Sequence, residues 1–527
     1  MSTYLIVIPY LTILVSLALY GLHRSQLVFL LRRHRSKLPK PPPMVHADAD
    51  PASLPHVTIQ LPLFNEPDVI DRLLETVAGI EYPREKFEIQ VLDDSTDDTR
   101  ERARAKVADL VRRGFDAVYI HRHDRTGFKA GALDFGLKLA KGDLVAVFDA
   151  DFLPLPAFLR TIVPHFEDPN VGCVQARWGH LNREHSLLTR VQSLMLDGHH
   201  MVENRARYAS GRFFNFSGTG GIWRRQAIDS AGGWQHDTLT EDLDLSYRAQ
   251  LAGWKFVYRE DHVTPAELPE EMEAFRAQQF RWAKGTVQTA RKLLKRVWAR
   301  KDLPIHVRTE AIFHMTPHFA YPFMLFLSIF LLPMLIVMPA SDPASLLLVD
   351  VPLLFGSTGS VVAFYVHADV AQGRSVWQAL KRLPSLMALG CGMSPYLTKA
   401  VWDGLGGATG EFVRTPKKGE KSAASQRYHA RTRVPWIEII CAVENFLAIG
   451  VAIQTRHIFA APFALLFSFG YAWVASSVIR ERLAVQPARP VRVVPSFANS
   501  LGNASLESEL VPATARVGSA NAESLAA

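Results

Sequence analysis

Carboxylates gather in three short clusters along the first half of the chain: Asp93-Asp94-Ser95-Thr96-Asp97, Asp149-Ala150-Asp151 and Thr240-Glu241-Asp242. Asp149 and Asp151, one residue apart, fall on the same side of an extended backbone. That spacing holds one divalent cation, Mg²⁺ or Mn²⁺, and leaves room for phosphates. Asp93 and Asp94 can accept hydrogen bonds from a nucleobase or ribose, with the stretch 60–66, ending in Glu66, as the facing wall. Lys129, after Gly127 at the start of a helical stretch, can neutralise a diphosphate. Asp242 is the candidate general base, a carboxylate able to take a proton from a hydroxyl. Thr240 and its two acids would equally suit a helix N-terminus. Just upstream, Gly218-Thr219-Gly220-Gly221 permits close backbone approach by a substrate. Finally, in Gln278-Gln279-Phe280-Arg281-Trp282 helical spacing sets Gln278 beside Arg281 and Trp282. One face then offers an amide, a cation for phosphate oxygens and a flat indole for a sugar ring.

These residues need elements that bring them together. Short β-prone runs at 57–61, 87–92, 117–121 and 144–148 alternate with helical stretches at 68–78, 97–113 and 129–140, the rhythm of a parallel sheet with crossover helices. The expected fold class is α/β. Ligands of such sheets sit beyond the carboxyl ends of the strands, and the acids follow the second and fourth runs.

At 527 residues and a formal charge of +8, the chain has room for a catalytic domain and a second module. Its basic residues crowd beside apolar segments, as in Arg32-Arg33-His34-Arg35-Ser36-Lys37, which favours a membrane surface over nucleic acid. Cys173, Cys391 and Cys441 are too scattered for a zinc site or a disulfide framework. Apolar stretches at 4–22, 319–338, 351–368, 434–454 and 458–478 are expected to span a membrane. The first is followed rather than preceded by basic residues, unlike a signal peptide. Basic residues after it place the N-terminus outside and the next segment in the cytoplasm. The stretch 384–405, interrupted by Gly390, Gly392, Pro395 and Lys399, is expected as an interfacial or re-entrant helix. Glu438, Glu444 and Asn445 fall inside an expected span, where they would line a polar path or pair helices.

Taken in order, Gln60-Leu61-Pro62-Leu63-Phe64-Asn65-Glu66, Asp93-Asp94-Ser95-Thr96-Asp97, Asp149-Ala150-Asp151, Phe216-Ser217-Gly218-Thr219-Gly220, Thr240-Glu241-Asp242 and Gln278-x-x-Arg281-Trp282 resemble the motifs of family 2 glycosyltransferases. More narrowly they resemble the cellulose-synthase-like mannan and glucomannan synthases, over residues 54–294. The resemblance implies a GT-A (Rossmann-like) domain and an inverting, single-displacement reaction on a nucleotide-activated hexose. It implies that Asp93 and Asp94 border the nucleotide, with Glu66 and Lys129 nearby, and that Asp149 and Asp151 hold metal and diphosphate. Asp242 would be the base, Gln278 and Arg281 would contact the diphosphate, and Trp282, with Gly218 and Thr219, would meet the acceptor sugar. Phe412-Val413-Arg414-Thr415-Pro416-Lys417 resembles the cytoplasmic gating loop of cellulose synthases, departing from it at Arg414 and Pro416.

The expected organisation is a transmembrane helix at 1–23, a basic and Pro-rich cytoplasmic linker at 24–54 and a GT-A domain at 55–300. Transmembrane and interfacial helices follow at 316–480, with the gating-like loop at 403–433 and a disordered tail at 487–527. The expected protein sits in a bacterial inner membrane with its catalytic domain cytoplasmic. It moves a hexose from UDP-glucose or GDP-mannose to a growing β-linked polysaccharide, coupled to export. Its partners are then the nucleotide sugar, a polysaccharide or lipid acceptor, membrane lipids and export partners, with no nucleic acid. Two readings compete: a lipid glycosyltransferase adding one sugar, and a channel or transporter with a degenerate soluble domain. The second is disfavoured because every expected acid is present.

Overall fold

The computed structural model describes residues 2–34, 40–46, 49–338, 358–407, 433–484 and 510–511. Seven strands build the central sheet: β1 Val57–Leu63, β2 Phe87–Asp93, β3 Ala117–His121, β4 Leu144–Val147, β5 Val171–His180, β6 Gly221–Arg224 and β7 Lys255–Ala266. A two-residue strand, β8 Leu510–Val511, pairs antiparallel with β3 and completes the order β7-β5-β6-β4-β1-β2-β3-β8. The rest of the expected disordered tail, and 408–432 of the gating-like loop, lie outside the described residues.

β1 runs parallel to both β2 and β4; the chain passes from it to β2 and β3 on one side and then crosses to β4 on the other. Such a reversal opens a crevice at the strand ends. The pairings Leu63 with Asp93 and Gln60 with Val147 bring the ends of all three strands side by side. β1 is central because it is buried on both faces, as parallel strands are. Val57, Ile59 and Leu61 face one core, with Leu73, Leu74 and Phe148. The polar residues between them are partnered: Thr58 donates to Glu88 Oε1 at 2.6 Å and Gln60 Nε2 to Gln90 Oε1 at 3.1 Å. β4 alternates in the same way, with Leu144 and Ala146 in that core and Val145 and Val147 in the other, among Leu133, Leu137 and Trp223. The helices Ile70–Ala78, Thr99–Arg112 and Phe128–Leu139 fall where the apolar pattern predicts crossovers.

Among the described residues, four helices are long and apolar enough to cross a membrane: Tyr4–His34, Pro317–Val337, Trp436–Gln454 and Ala461–Ala484. The remaining expected span, 351–368, lies partly outside the described residues. Its described part belongs to Ser360–Val370, an 11-residue helix too short to cross alone. Residues 384–405 do not form a separate interrupted helix. They continue Val376–Leu405, a 30-residue helix that contains Pro384 and Pro395 without ending at either. Gly392 is a packing contact rather than an interruption: its backbone meets that of Gly470, and neither position leaves room for a Cβ. Trp377 and Trp402, near the two ends of this helix, are exposed, as at a membrane interface.

The helix Phe128–Leu139, which delivers Lys129, lies hard against the sheet at Gly136. A Cβ there would stand 2.7 Å from both Gln60 Nε2 and Leu92 Cδ2. Gly136→Ala should therefore destabilise the domain by about 1–3 kcal/mol, read as a lower midpoint of thermal or denaturant unfolding. An unchanged midpoint would mean that this contact is looser than the structure has it.

Candidate active site

Beyond the ends of β1, β2 and β4 lies a cleft of about 1280 Å³, part of it open to solvent. Glu66, Asp94, Lys129, Asp149, Asp151, Gly218, Asp242, Gln278, Arg281 and Trp282 all line it. Asp149 follows the buried end of β4, and its backbone N–H donates to Thr219 Oγ1 at 2.9 Å. Thr219 thus holds the Asp149 loop from behind and does not line the cleft. Lys129 reaches in from the first turn of its helix, pairing with Asp149 Oδ1 at 2.5 Å and donating to the Gly218 carbonyl at 2.8 Å. Gly218 has φ +82, and a Cβ on it would lie 3.0 Å from Asp242 Oδ2. Only a glycine lets the Lys129–Asp149 pair and the Asp242 carboxylate approach so closely.

Asp242 stands in the first turn of the helix Glu241–Leu251, where Leu243 N–H donates to Oδ1 at 2.8 Å. Thr240 occupies the N-cap position without making a capping hydrogen bond; its hydroxyl instead pairs with that of Thr289 at 3.1 Å. Burial, then the charge of Glu241, pushes the Asp242 carboxyl up to about 7, against the pull of the Leu243 N–H and Lys129. A carboxyl in that range is both ionisable near neutral pH and basic enough to take a proton. Burial works against the charge of Lys129, but Asp149, Glu241 and Asp242 outweigh it and raise its pKa. Burial lowers Arg281, opposed by Glu241, Asp149, Asp242 and Asp151 around it.

Asp93 is placed differently from its neighbour. Consecutive residues of an extended strand end point to opposite sides, and Asp93 turns into the protein. It accepts from Tyr119 OH at 2.6 Å and from Ser95 N–H at 3.0 Å, and it does not line the cleft. Asp94 does line the cleft and is gripped by Arg122, at 2.8 Å from Nε and 2.5 Å from Nη2. Burial still raises its pKa. Behind Glu66, Asn65 and the first acidic cluster lock together, Asn65 N–H to Ser95 Oγ at 2.8 Å and Thr96 N–H to Asn65 Oδ1 at 2.8 Å.

The helix Met272–Ala299 presents Gln278, Arg281 and Trp282 to the cleft, while Phe275, Arg276, Gln279 and Ala283 are buried behind. It seats tightly on the Asp242 loop, with Gln288 Oε1 accepting from Leu239 N–H at 3.0 Å. Several cleft residues escape sequence reasoning. Arg125 lies over the Phe64 ring at 3.3 Å from its centroid, and Trp178 donates to the Thr219 carbonyl at 3.3 Å while packing edge-on against Phe152. Arg125 is four residues from Lys129, but nothing local pairs it with Phe64, which is 61 positions earlier.

A mixed sheet, parallel through β4-β1-β2-β3 and antiparallel where β6 joins β4 and β5, with a DxD pair, a lysine and an arginine at its strand-end cleft and a buried carboxyl of raised basicity facing them, defines a glycosyltransferase of the GT-A class. Residues 55–285 match the family described as "Glycosyltransferase like family 2". Glucomannan 4-beta-mannosyltransferase 1 of Cyamopsis tetragonoloba is 33% identical over 432 residues, 80% of this chain and 78% of that protein. Glucomannan 4-beta-mannosyltransferase 2 of Arabidopsis thaliana is 34% identical over 425 residues, 77% of this chain and 76% of that protein. Against glucomannan 4-beta-mannosyltransferase 1 of Oryza sativa subsp. japonica identity reaches 40%, but the match spans only about half of each protein, 51% and 53%. Among solved structures, the mannosyltransferase PcManGT from Pyrobaculum calidifontis, in complex with GDP-Man and Mn²⁺, matches with a TM-score of 0.51 at 23% identity. The match covers 75% of this chain and 99% of that one, and it supports the fold. The chain belongs to glycosyltransferase family 2, alongside the cellulose-synthase-like glucomannan synthases.

The raised Asp242 pKa sets a pH dependence. As a general base Asp242 would have to be ionised, so kcat/KM should fall as pH drops through about 7, or through a lower value once a cation in the cleft draws the carboxyl down. Asp242→Asn should abolish that acidic limb along with most of the rate, and an acidic limb that survives the substitution would assign it to another group. For stability the sign is opposite. A carboxyl raised by folding favours the folded state fully at low pH, and that contribution is lost as pH rises through about 7.

Proposed function

We propose that the protein is a membrane-embedded inverting mannosyltransferase that extends a β-linked mannan- or glucomannan-type glycan from GDP-mannose. The observation that carries this reading is the Asp242 carboxyl, raised to about 7 and facing Gly218 in a cleft whose other wall holds Lys129 and Asp149. Asp242 accepts the proton of the acceptor hydroxyl as its oxygen attacks the anomeric carbon from the face opposite the diphosphate. Lys129, Arg281 and Gln278 hold the diphosphate and neutralise its charge as it leaves. Trp282 supports the terminal sugar of the acceptor. Asp94, Glu66 and the Arg125–Phe64 pair form the wall toward the nucleoside.

Asp149 and Asp151 would hold Mn²⁺ or Mg²⁺, which when bound supplies positive charge to the leaving diphosphate. The residues fit such an ion. Asp149, Asp151, Glu241 and Asp242 surround Arg281, and with Lys129 as the other near cation the acids outnumber the bases. Among the described residues no three His, Cys, Asp or Glu side chains converge on one point. The remaining coordination positions would fall to phosphate oxygens and water.

The choice of mannose rests on the names of the plant relatives. Support for a membrane setting comes from the four apolar helices among the described residues that flank the catalytic region, and the basic stretch after the first supports a cytoplasmic side for that region. The nascent glycan would then pass to the membrane helices for export.

The test offers radiolabelled GDP-mannose and UDP-glucose separately to the purified protein in lipid nanodiscs with Mn²⁺ or Mg²⁺. Product is sized before and after glycosidase digestion. Long β-mannanase-sensitive polymer from GDP-mannose is expected. A single sugar on extracted lipid would make the protein a lipid glycosyltransferase, and polymer from UDP-glucose alone would overturn the donor. Asp242→Asn should cost about 10²–10⁴-fold in kcat with folding retained. Asp151→Ala should raise the metal concentration needed for half-maximal rate.

A further inference from the structure

We infer that Glu481, in the last turn of the final apolar helix, is a positioning residue for the cleft. Its carboxylate caps the helix that carries Gln278, Arg281 and Trp282, and with the Arg276–Glu438 pair it sets where those side chains stand. The inference rests on the reading of that cleft as the transfer site.

The first N–H groups of any helix have no partner within it. In Met272–Ala299 the N-cap residue, Glu271, makes no capping hydrogen bond. The partner comes from 209 and 208 residues further along the chain: Met272 N–H donates to Glu481 Oε1 at 2.6 Å and Glu273 N–H to Oε2 at 2.9 Å. Both oxygens of one carboxylate thus take two consecutive amides at the positive end of the helix dipole, a charge-assisted cap. Arg482, the next residue, pairs with Glu273 Oε1 at 2.5 Å.

One turn further on, the same helix is held a second time. Arg276, almost fully buried, donates to Glu438 Oε1 at 2.8 Å and lies 4.3 Å from the Tyr396 ring centroid, and the Phe280 ring packs tilted against Tyr396 with centroids 4.9 Å apart. Glu438 opens Trp436–Gln454, Tyr396 belongs to Val376–Leu405 and Glu481 closes Ala461–Ala484. Three helices from the C-terminal half therefore grip the first turns of the catalytic helix on its buried side. Gln278, Arg281 and Trp282 occupy the cleft side of those same turns. Glu438 here joins helix to helix instead of lining a polar path. A helix transmits a displacement at its end along its length, and misplacing catalytic groups by about 1 Å costs about 10²-fold in rate. Seating of the membrane helices is thereby part of the geometry of transfer.

The test compares wild type, Glu481→Gln, Glu481→Ala, Glu438→Gln and the charge swap R276E/E438R in nanodiscs. One readout is amide hydrogen exchange over 270–283; the other is kcat and KM with GDP-mannose and Mn²⁺. Glu481→Ala should unprotect the Met272 and Glu273 amides and lower kcat by about tenfold to 10²-fold. Glu481→Gln, which keeps an acceptor oxygen, should fall between it and wild type. The swap should recover most of the kcat that Glu438→Gln loses. Wild-type exchange and kcat in Glu481→Ala would overturn the inference, as would a swap no better than the single variant. If wild type transfers sugar from neither donor, the proposed function fails, while the exchange measurement still decides the cap.

Discussion

Carboxylates brought into one cleft repel one another, and much of this fold serves to bear that repulsion. Asp149, Asp151, Glu241 and Asp242 all act on Arg281. Left in water they would separate. Here three constraints hold them: the end of β4, the first turn of Glu241–Leu251 and a glycine hinge at 218 whose missing side chain leaves the gap between them. Lys129 and Arg281 neutralise part of the charge, and helix N-termini at Lys129 and Asp242 contribute partial positive charge. Burial first, and then the neighbouring charge of Glu241, holds the Asp242 carboxyl near 7. On the proposed reading such a charge balance suits a site that accepts a diphosphate with its cation and takes up a proton, since a cleft already neutral would do neither well.

The same logic of paired burial extends to the junction with the apolar helices. Glu310 accepts from His23 of the first helix at 3.0 Å and from Arg207 at 3.0 Å, with all three side chains nearly fully buried. Asp197 gathers His180, Arg183 and Arg374 at 3.1, 2.6 and 2.5 Å, and Arg374 also meets Asp369 at 2.6 Å. With Arg276–Glu438 these clusters link the catalytic region to its flanking helices through carboxylates that are almost fully buried. Where a buried carboxylate has one ion-pair partner, as Glu438 has in Arg276, removing that partner costs far more than the pair contributes when whole. Such junctions specify one seating of the two regions and discourage sliding.

What was legible in the sequence follows from local rules. The alternation of apolar runs marked the four parallel strands, because each must be buried over a few consecutive residues whatever its neighbours. Spacing of three and four residues correctly set Gln278, Arg281 and Trp282 on one helical face. Asp93 shows where such rules stop. The pair Asp93-Asp94 looks alike in sequence, yet the pleat sends one toward Tyr119 and the other toward the cleft. Likewise Gly392, which reads as a break in a helix, is the point where two helices touch backbone to backbone.

By itself, then, the sequence determined the chemical types at the site, the strands and helices that carry them, and the apolar segments around them, since each depends on residues within a few positions. Only the tertiary structure decided that Asp242 is lifted in pKa by burial and by Glu241, that Arg125 stacks on Phe64, and that Glu481 caps a helix beginning at Met272. Those facts depend on desolvation and on contacts between segments tens to hundreds of residues apart, and no local pattern encodes a partner at that distance.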